Sequence, residues 1–280
     1  MSAPAQVPPL PSAPPPAARR AGSPVAGFLI DFGLAALLLA ILSLVTGLAW
    51  GLYRGLVVGA EAAAAGTPAP DAAALPTLLG TPGPLAQILM ALVSTGGVAL
   101  ILYFWRRRAD RSERQASLHA AAKASTWLWT LLVAALVVAG SNAIAFGAEQ
   151  LGIKPVPTNL DLMTRAVDQF PLFLLLFAVV LAPAYEELLF RRVLFGRLWK
   201  AGRPWLGMLL SSLAFALVHE LPGTSANGPA EIAQLWLVYG GMGAAFCWLY
   251  QRTGTLWAPI AAHALNNAVA LGALVFLGYS

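Results

Sequence analysis

Glu186 and Glu187 stand side by side just after the apolar run 170–181, and Arg191 and Arg192 follow within one helical turn. Ionised groups next to such a run are costly in lipid unless they are paired or face a wet cavity, which makes them functional candidates. The same oddity recurs later in the chain, at His219 four residues after Phe215 and at His263 four residues before Asn267. Residues four apart share a helix face, so His263 and Asn267 point the same way. Glu187 and Arg191 do so too, and an acid followed by a base at that spacing is an internal ion pair. A glutamate and a histidine on neighbouring helices can share and activate a water. A second histidine with an asparagine can donate hydrogen bonds to the oxyanion of a tetrahedral intermediate. Those are the groups needed to hydrolyse a peptide bond inside a membrane cavity.

Plainer readings compete with this one. Glu186 could mark the point where its helix leaves the membrane. A lone membrane histidine more often serves helix packing, and Asn266 and Asn267 could join helices. Depth separates the readings. With Arg197, Trp205 and Arg252 as one membrane boundary and a rise of about 1.5 Å per residue, Glu186 lies about 16 Å deep, His219 about 21 Å and His263 about 16 Å. Three helices from separate parts of the chain thus bring their odd polar groups to similar depth, which favours Arg191 as a buried partner over a helix exit. His119, in a basic stretch without partners, reads as solvated. His219-Glu220 begins like a zincin motif, but position 223 is Gly and Pro222 breaks the helix, so that motif is absent.

The elements that carry these residues follow from composition. Only 10% of the 280 residues are charged, 59% are hydrophobic and the mean hydropathy is +0.72. That is too little charge to cover a water-exposed surface. The chain reads as an all-α polytopic membrane bundle of about seven transmembrane helices. Apolar runs place them at about 25–52, 85–105, 126–148, from 170 through the glutamates to the cluster Arg197, Lys200 and Arg203, then 205–219, 231–250 and 256–277. Residues 1–25, rich in Pro and Ala, read as a disordered cytoplasmic tail. Residues 26–168 hold three helices and their loops, with 106–123 a basic cytoplasmic loop and 149–169 a mixed outer segment. Residues 169–280 form the unit that carries the polar set. Gly240-Gly241-x-Gly243 reads as a close-packing stretch, since no strand precedes it. The single cysteine, Cys247, excludes a disulfide framework and a multi-cysteine metal site. The net charge of +5 comes from arginines at helix ends, so the positive-inside rule accounts for it and no nucleic-acid partner is expected.

Glu186-Glu187-x-x-x-Arg191, Phe215-x-x-x-His219 and His263-x-x-x-Asn267, in this order on successive late helices, resemble the three motifs of the CPBP family. These are the CAAX-protease and bacteriocin-processing intramembrane proteases, relatives of the Ras-converting endopeptidase. Arg252-Thr253-Gly254-Thr255-Leu256-Trp257-Ala258-Pro259 also looks like the family's lead-in to its last motif. The resemblance implies an intramembrane endopeptidase in which Glu186 with His219 activates water and His263 with Asn267 stabilises the oxyanion. Glu187 and Arg191 would hold the motif helix, with Phe215 supporting the site. It leaves two ways of running the chemistry, a divalent metal such as zinc held by two His and a Glu, or a metal-free glutamate-activated water. The Arg-over-Lys bias and heavy Ala, Gly, Pro and Leu usage suggest a GC-rich bacterium. The expected setting is then a bacterial cytoplasmic membrane with the N-terminus inside, and the expected substrate a small peptide precursor or membrane protein. Two other classes stay open: a non-catalytic membrane partner of the immunity type that keeps the scaffold, and a small transporter with midplane charges.

Overall fold

The structure, a computed structural model, describes residues 23–68, 71 and 73–278. The expected tail therefore lies outside the described residues up to position 22, and its last residues already belong to the first helix. All regular elements among the described residues are helices. They run α1 (Pro24–Ala64), α2 (Leu75–Leu79), α3 (Pro84–Arg106), α4 (Arg111–Ala121), α5 (Ala124–Gln150), α6 (Leu160–Gln169), α7 (Pro171–Lys200), α8 (Pro204–His219), α9 (Pro229–Thr253) and α10 (Trp257–Leu277). Helices α1, α3, α5, α7, α9 and α10 are long and apolar enough to cross a membrane, and α8 is a shorter apolar helix of 16 residues. The chain is an integral membrane protein built as a polytopic helical bundle.

Three departures from the sequence reading have local causes. Helix α1 does not stop at 52; its 41 residues reach Ala64, a length of about 60 Å. Arg54 fails to end it because its Nε donates to the Leu79 carbonyl at 3.3 Å, and the alanines that follow are the best helix formers. The expected basic loop 106–123 contains α4, started by a capping box in which Asp110 accepts from Glu113 N at 2.8 Å and Glu113 accepts from Asp110 N at 3.2 Å. The mixed segment 149–169 contains α6, because Pro155 and Pro157 both precede it. It ends at Phe170, whose φ −143° and ψ 53° lie outside the helical region that the following Pro171 disfavours.

Helices α7, α8, α9 and α10 surround the polar set, and the core between them includes Phe190, Leu194, Phe215, Phe246 and Ala262. Of the three glycines expected to permit close packing, Gly240 and Gly241 face open space and only Gly243 is tightly enclosed. A Cβ there would lie 2.9 Å from Ser212 Cα, so α8 and α9 touch backbone to backbone. At one end of the bundle Asp31, fully buried on α1, accepts from Arg106 Nε at 2.6 Å and Arg197 Nε at 2.5 Å. This joins α1 and α3 to the tail of α7. Gly243→Ala should lower the stability of the folded protein by about 1–3 kcal/mol through overpacking, read as a drop in melting temperature in detergent. An unchanged melting temperature would show that α8 and α9 separate freely.

Candidate active site

Glu186 and Glu187 sit on α7 between two π-helical segments, Phe177–Leu181 and Leu188–Phe195. The first is tied to Pro183. Ala182 N donates to Phe177 O, five residues back. In that register the Ala178 carbonyl would look to residue 183, and proline has no N–H to give. Asn267 on α10 supplies the donor instead, its Nδ2 lying 2.9 Å from Ala178 O. In the second segment Ser211 on α8 does a similar job, donating to Phe190 O at 2.7 Å. Side chains from neighbouring helices thus complete the backbone of α7 where its turns widen.

Consecutive residues on a helix point about 100° apart, and the two glutamates part accordingly. Glu187 is fully buried, with Oε2 2.9 Å from Arg191 Nε and Oε1 2.9 Å from His263 Nδ1. Arg191 is equally buried, and its contact with Glu187 is an ion pair off the hydrogen-bonding axis. Its guanidinium lies 4.7 Å from the Phe215 ring centre, 5.3 Å from Phe246 and 5.9 Å from Phe190. Aromatic faces attract a cation most strongly when water is excluded, so the charge is balanced by one carboxylate and three rings. The expected ion pair is present, and Phe215 has a definite part in it.

Hydrogen bonds fix the protons on both histidines. His219 Nδ1 lies 2.8 Å from Phe215 O and His263 Nδ1 lies 2.9 Å from a carboxylate oxygen. Both partners accept only, so both Nδ1 atoms carry hydrogen, and each Nε2 of a neutral ring is left as an acceptor. These two Nε2 atoms converge on one atom of Glu186. Oε2 is 3.6 Å from His219 Nε2 and 3.9 Å from His263 Nε2, and it has no hydrogen-bond partner among the described residues. The His219 ring is held between Phe215, at 4.2 Å between ring centres, and Tyr239, at 4.8 Å. His263 stacks on Phe246 at 5.2 Å.

Three acceptors facing one another need a donor between them. A water bonded at about 2.8 Å to two of them spans up to about 4.4 Å, and both separations fall inside that limit. Zinc is a tighter test. Bonds of about 2.0–2.1 Å put tetrahedral ligand atoms about 3.3 Å apart, and the separations of 3.6 and 3.9 Å exceed this. No cluster of three His, Cys, Asp or Glu among the described residues has metal-holding spacing, so the residues as placed do not fit the ion.

The structure brings Glu186, His219 and His263 together. Asn267 is bonded to Ala178 O and, more loosely, to Asn266 Nδ2 at 3.4 Å, not to the other three. His119 is exposed on α4. Arg192 is paired with Glu113 at 2.5 Å and donates to Arg107 O at 3.1 Å. Sequence reasoning passed over Asp31 and Tyr239. A carboxylate within the first apolar run was the available signal for Asp31; an aromatic on an apolar helix gave none for Tyr239.

Residues 168–269 match the family model described as type II CAAX prenyl endopeptidase Rce1-like, a segment that contains all three motifs. The chain is 32% identical over 116 residues to YdiL of Bacillus subtilis (strain 168), a membrane peptidase by name, covering 41% of this chain and 43% of that protein. It is also 32% identical over 146 residues to the membrane-embedded CAAX protease MroQ of Staphylococcus aureus (strain USA300), covering 50% and 54%. The chain thus aligns with about half the length of these curated relatives. No solved structure matches it. The three motifs lie inside the matched family segment, and helices α1, α3 and α5 lie outside it.

Asn267→Leu should cost about 1–3 kcal/mol of stability, since it leaves the Ala178 carbonyl without its donor. Thermal unfolding in detergent reads this, and a wild-type melting temperature would mean that the carbonyl is satisfied elsewhere.

Proposed function

We propose that the protein is an intramembrane endopeptidase that hydrolyses a peptide bond in a membrane-associated peptide or protein. The observation that carries this reading is the convergence of Glu186 Oε2 with the Nε2 atoms of His219 and His263 at 3.6 and 3.9 Å. A water between Glu186 and His219 donates one hydrogen to each, so its lone pair is free to attack a carbonyl carbon. Glu186 takes the proton as the C–O bond forms, and the carbonyl becomes an oxyanion. Glu186 then returns that proton to the amide nitrogen as the C–N bond breaks, leaving a carboxylic acid and an amine; the acid's remaining proton passes to the amine, so the products are a carboxylate and an ammonium.

His263 serves the oxyanion in one protonation state only. Its Nδ1 hydrogen is committed to Glu187, so an Nε2–H to offer the oxyanion requires the imidazolium, with the Glu187 carboxylate then shared between His263 and Arg191. Asn267 shares the α10 face one turn on, and its amide keeps a second N–H beside the one given to Ala178. Each of these steps is done by the chain's own groups. The matches to curated membrane peptidases support the class of reaction; the substrate proposed is a small peptide precursor or a membrane protein of a bacterial cytoplasmic membrane, with the arginine-rich end inside.

Glu186→Gln keeps the shape of the site and removes the base. Cleavage of a fluorescence-quenched apolar peptide by the protein in liposomes should fall by about 10²–10⁴-fold, with the melting temperature within a few degrees of wild type. Undiminished cleavage by the folded variant would sink the reading. Prior dialysis against a chelator should leave the rate unchanged, and a loss restored by added zinc would require the three ligands to close up around the ion.

A further inference from the structure

We propose that Glu220, the residue after His219, is a positioning residue that sets the orientation and tautomer of the His219 ring; this rests on the hydrolytic reading above. Helix α8 ends at His219, and Glu220 turns away in an extended conformation, φ −141° and ψ 95°. Within the helix only Phe215 reaches this last side chain, through its carbonyl and its ring, and terminal turns fray. Here the next residue is anchored instead. The Glu220 side chain is fully buried and accepts three hydrogen bonds, from Thr158 Oγ1 at 2.7 Å, Ser225 Oγ at 2.5 Å and Asn227 Nδ2 at 3.0 Å. Burial works against its charge, but the bonds from Ser225, Asn227 and Thr158 outweigh it and hold the carboxyl below its usual range.

The donors come from two separate loops. Thr158 belongs to the segment before α6, while Ser225 and Asn227 belong to the loop between α8 and α9. Asn227 locks the two together, accepting from Val156 N at 2.9 Å and donating to Val156 O at 2.8 Å. The main chain of Glu220 makes the fourth link, since its carbonyl accepts from Trp236 Nε1 on α9 at 2.8 Å. Tyr239 lies three residues further along α9, on the same face, and its ring covers His219 at 4.8 Å. Glu220 therefore ties α9 to the end of α8 at the height where Tyr239 and Phe215 enclose the imidazole. With the ring clamped there, Nδ1 reaches Phe215 O and Nε2 faces Glu186.

The test needs no substrate for its first readout. The chain has three histidines, so ¹⁵N-histidine labelling gives three ring spin systems, assignable by replacing each histidine with Gln. In the wild type His219 should show a single Nδ1–H tautomer with slow ring N–H exchange. In Glu220→Gln that ring should populate both tautomers and exchange faster, while His263 and His119 keep their wild-type signals. Cleavage of the quenched peptide should lose about ten- to hundredfold in kcat with KM little changed. If Glu220→Gln does not fold, Thr158→Val removes one donor at nearly constant shape and should move the same signals by less. Wild-type tautomer and exchange at His219 in the folded variant would overturn the inference, and so would an equal disturbance of His263, which marks general loosening. Failure of the hydrolytic reading is separate, because it shows as cleavage retained by Glu186→Gln.

Discussion

The buried carboxylate of Glu187 is the constraint on which the rest of the site depends. It lies between a fully buried arginine and a histidine from another helix, in a part of the chain that offers little other charge. A carboxylate placed there alone would be expensive, and so would a lone guanidinium. Together, with three aromatic rings around Arg191, they form a neutral unit. That unit cannot move far without exposing one charge to lipid. Its position fixes α7 against α10, and with it the point at which Glu186 emerges.

A division of labour between adjacent residues follows. Glu187 is spent on structure, so it is unavailable as a base. Glu186, one residue on the N-terminal side, has an oxygen without a hydrogen-bond partner among the described residues, facing two imidazole nitrogens. The same carboxylate that anchors the bundle also dictates which nitrogen of His263 bears hydrogen. Structure and protonation are thus set by one group, within the segment 168–269 that the family model matches.

Much of this was legible in the sequence because lipid makes polar residues conspicuous. Glu186, Glu187, Arg191, His219 and His263 stood out against apolar runs, and counting the rise per residue put three of them at one depth. The contacts of Asn267 were less legible. Its partner is a carbonyl released by a widened turn at Pro183, and helical periodicity assumes that such turns are regular. The helices α4 and α6 were hidden for a related reason. Each is short and polar: α4 shows itself by its capping box and α6 by the prolines before it, rather than by an apolar run. Asp31 was visible but unused, since its meaning depends on Arg106 and Arg197, which are distant in the chain.

A double-mutant cycle on unfolding free energy, with Glu187→Leu, Arg191→Leu and the pair, tests the central claim most directly. Each single change strands a buried charge, whereas the pair removes both, so the double variant should be less destabilised than the sum of the singles by about 2–3 kcal/mol. Additivity within about 0.5 kcal/mol would contradict it. The two side chains would then be independent, and Glu187 would not be the group that holds the site in place.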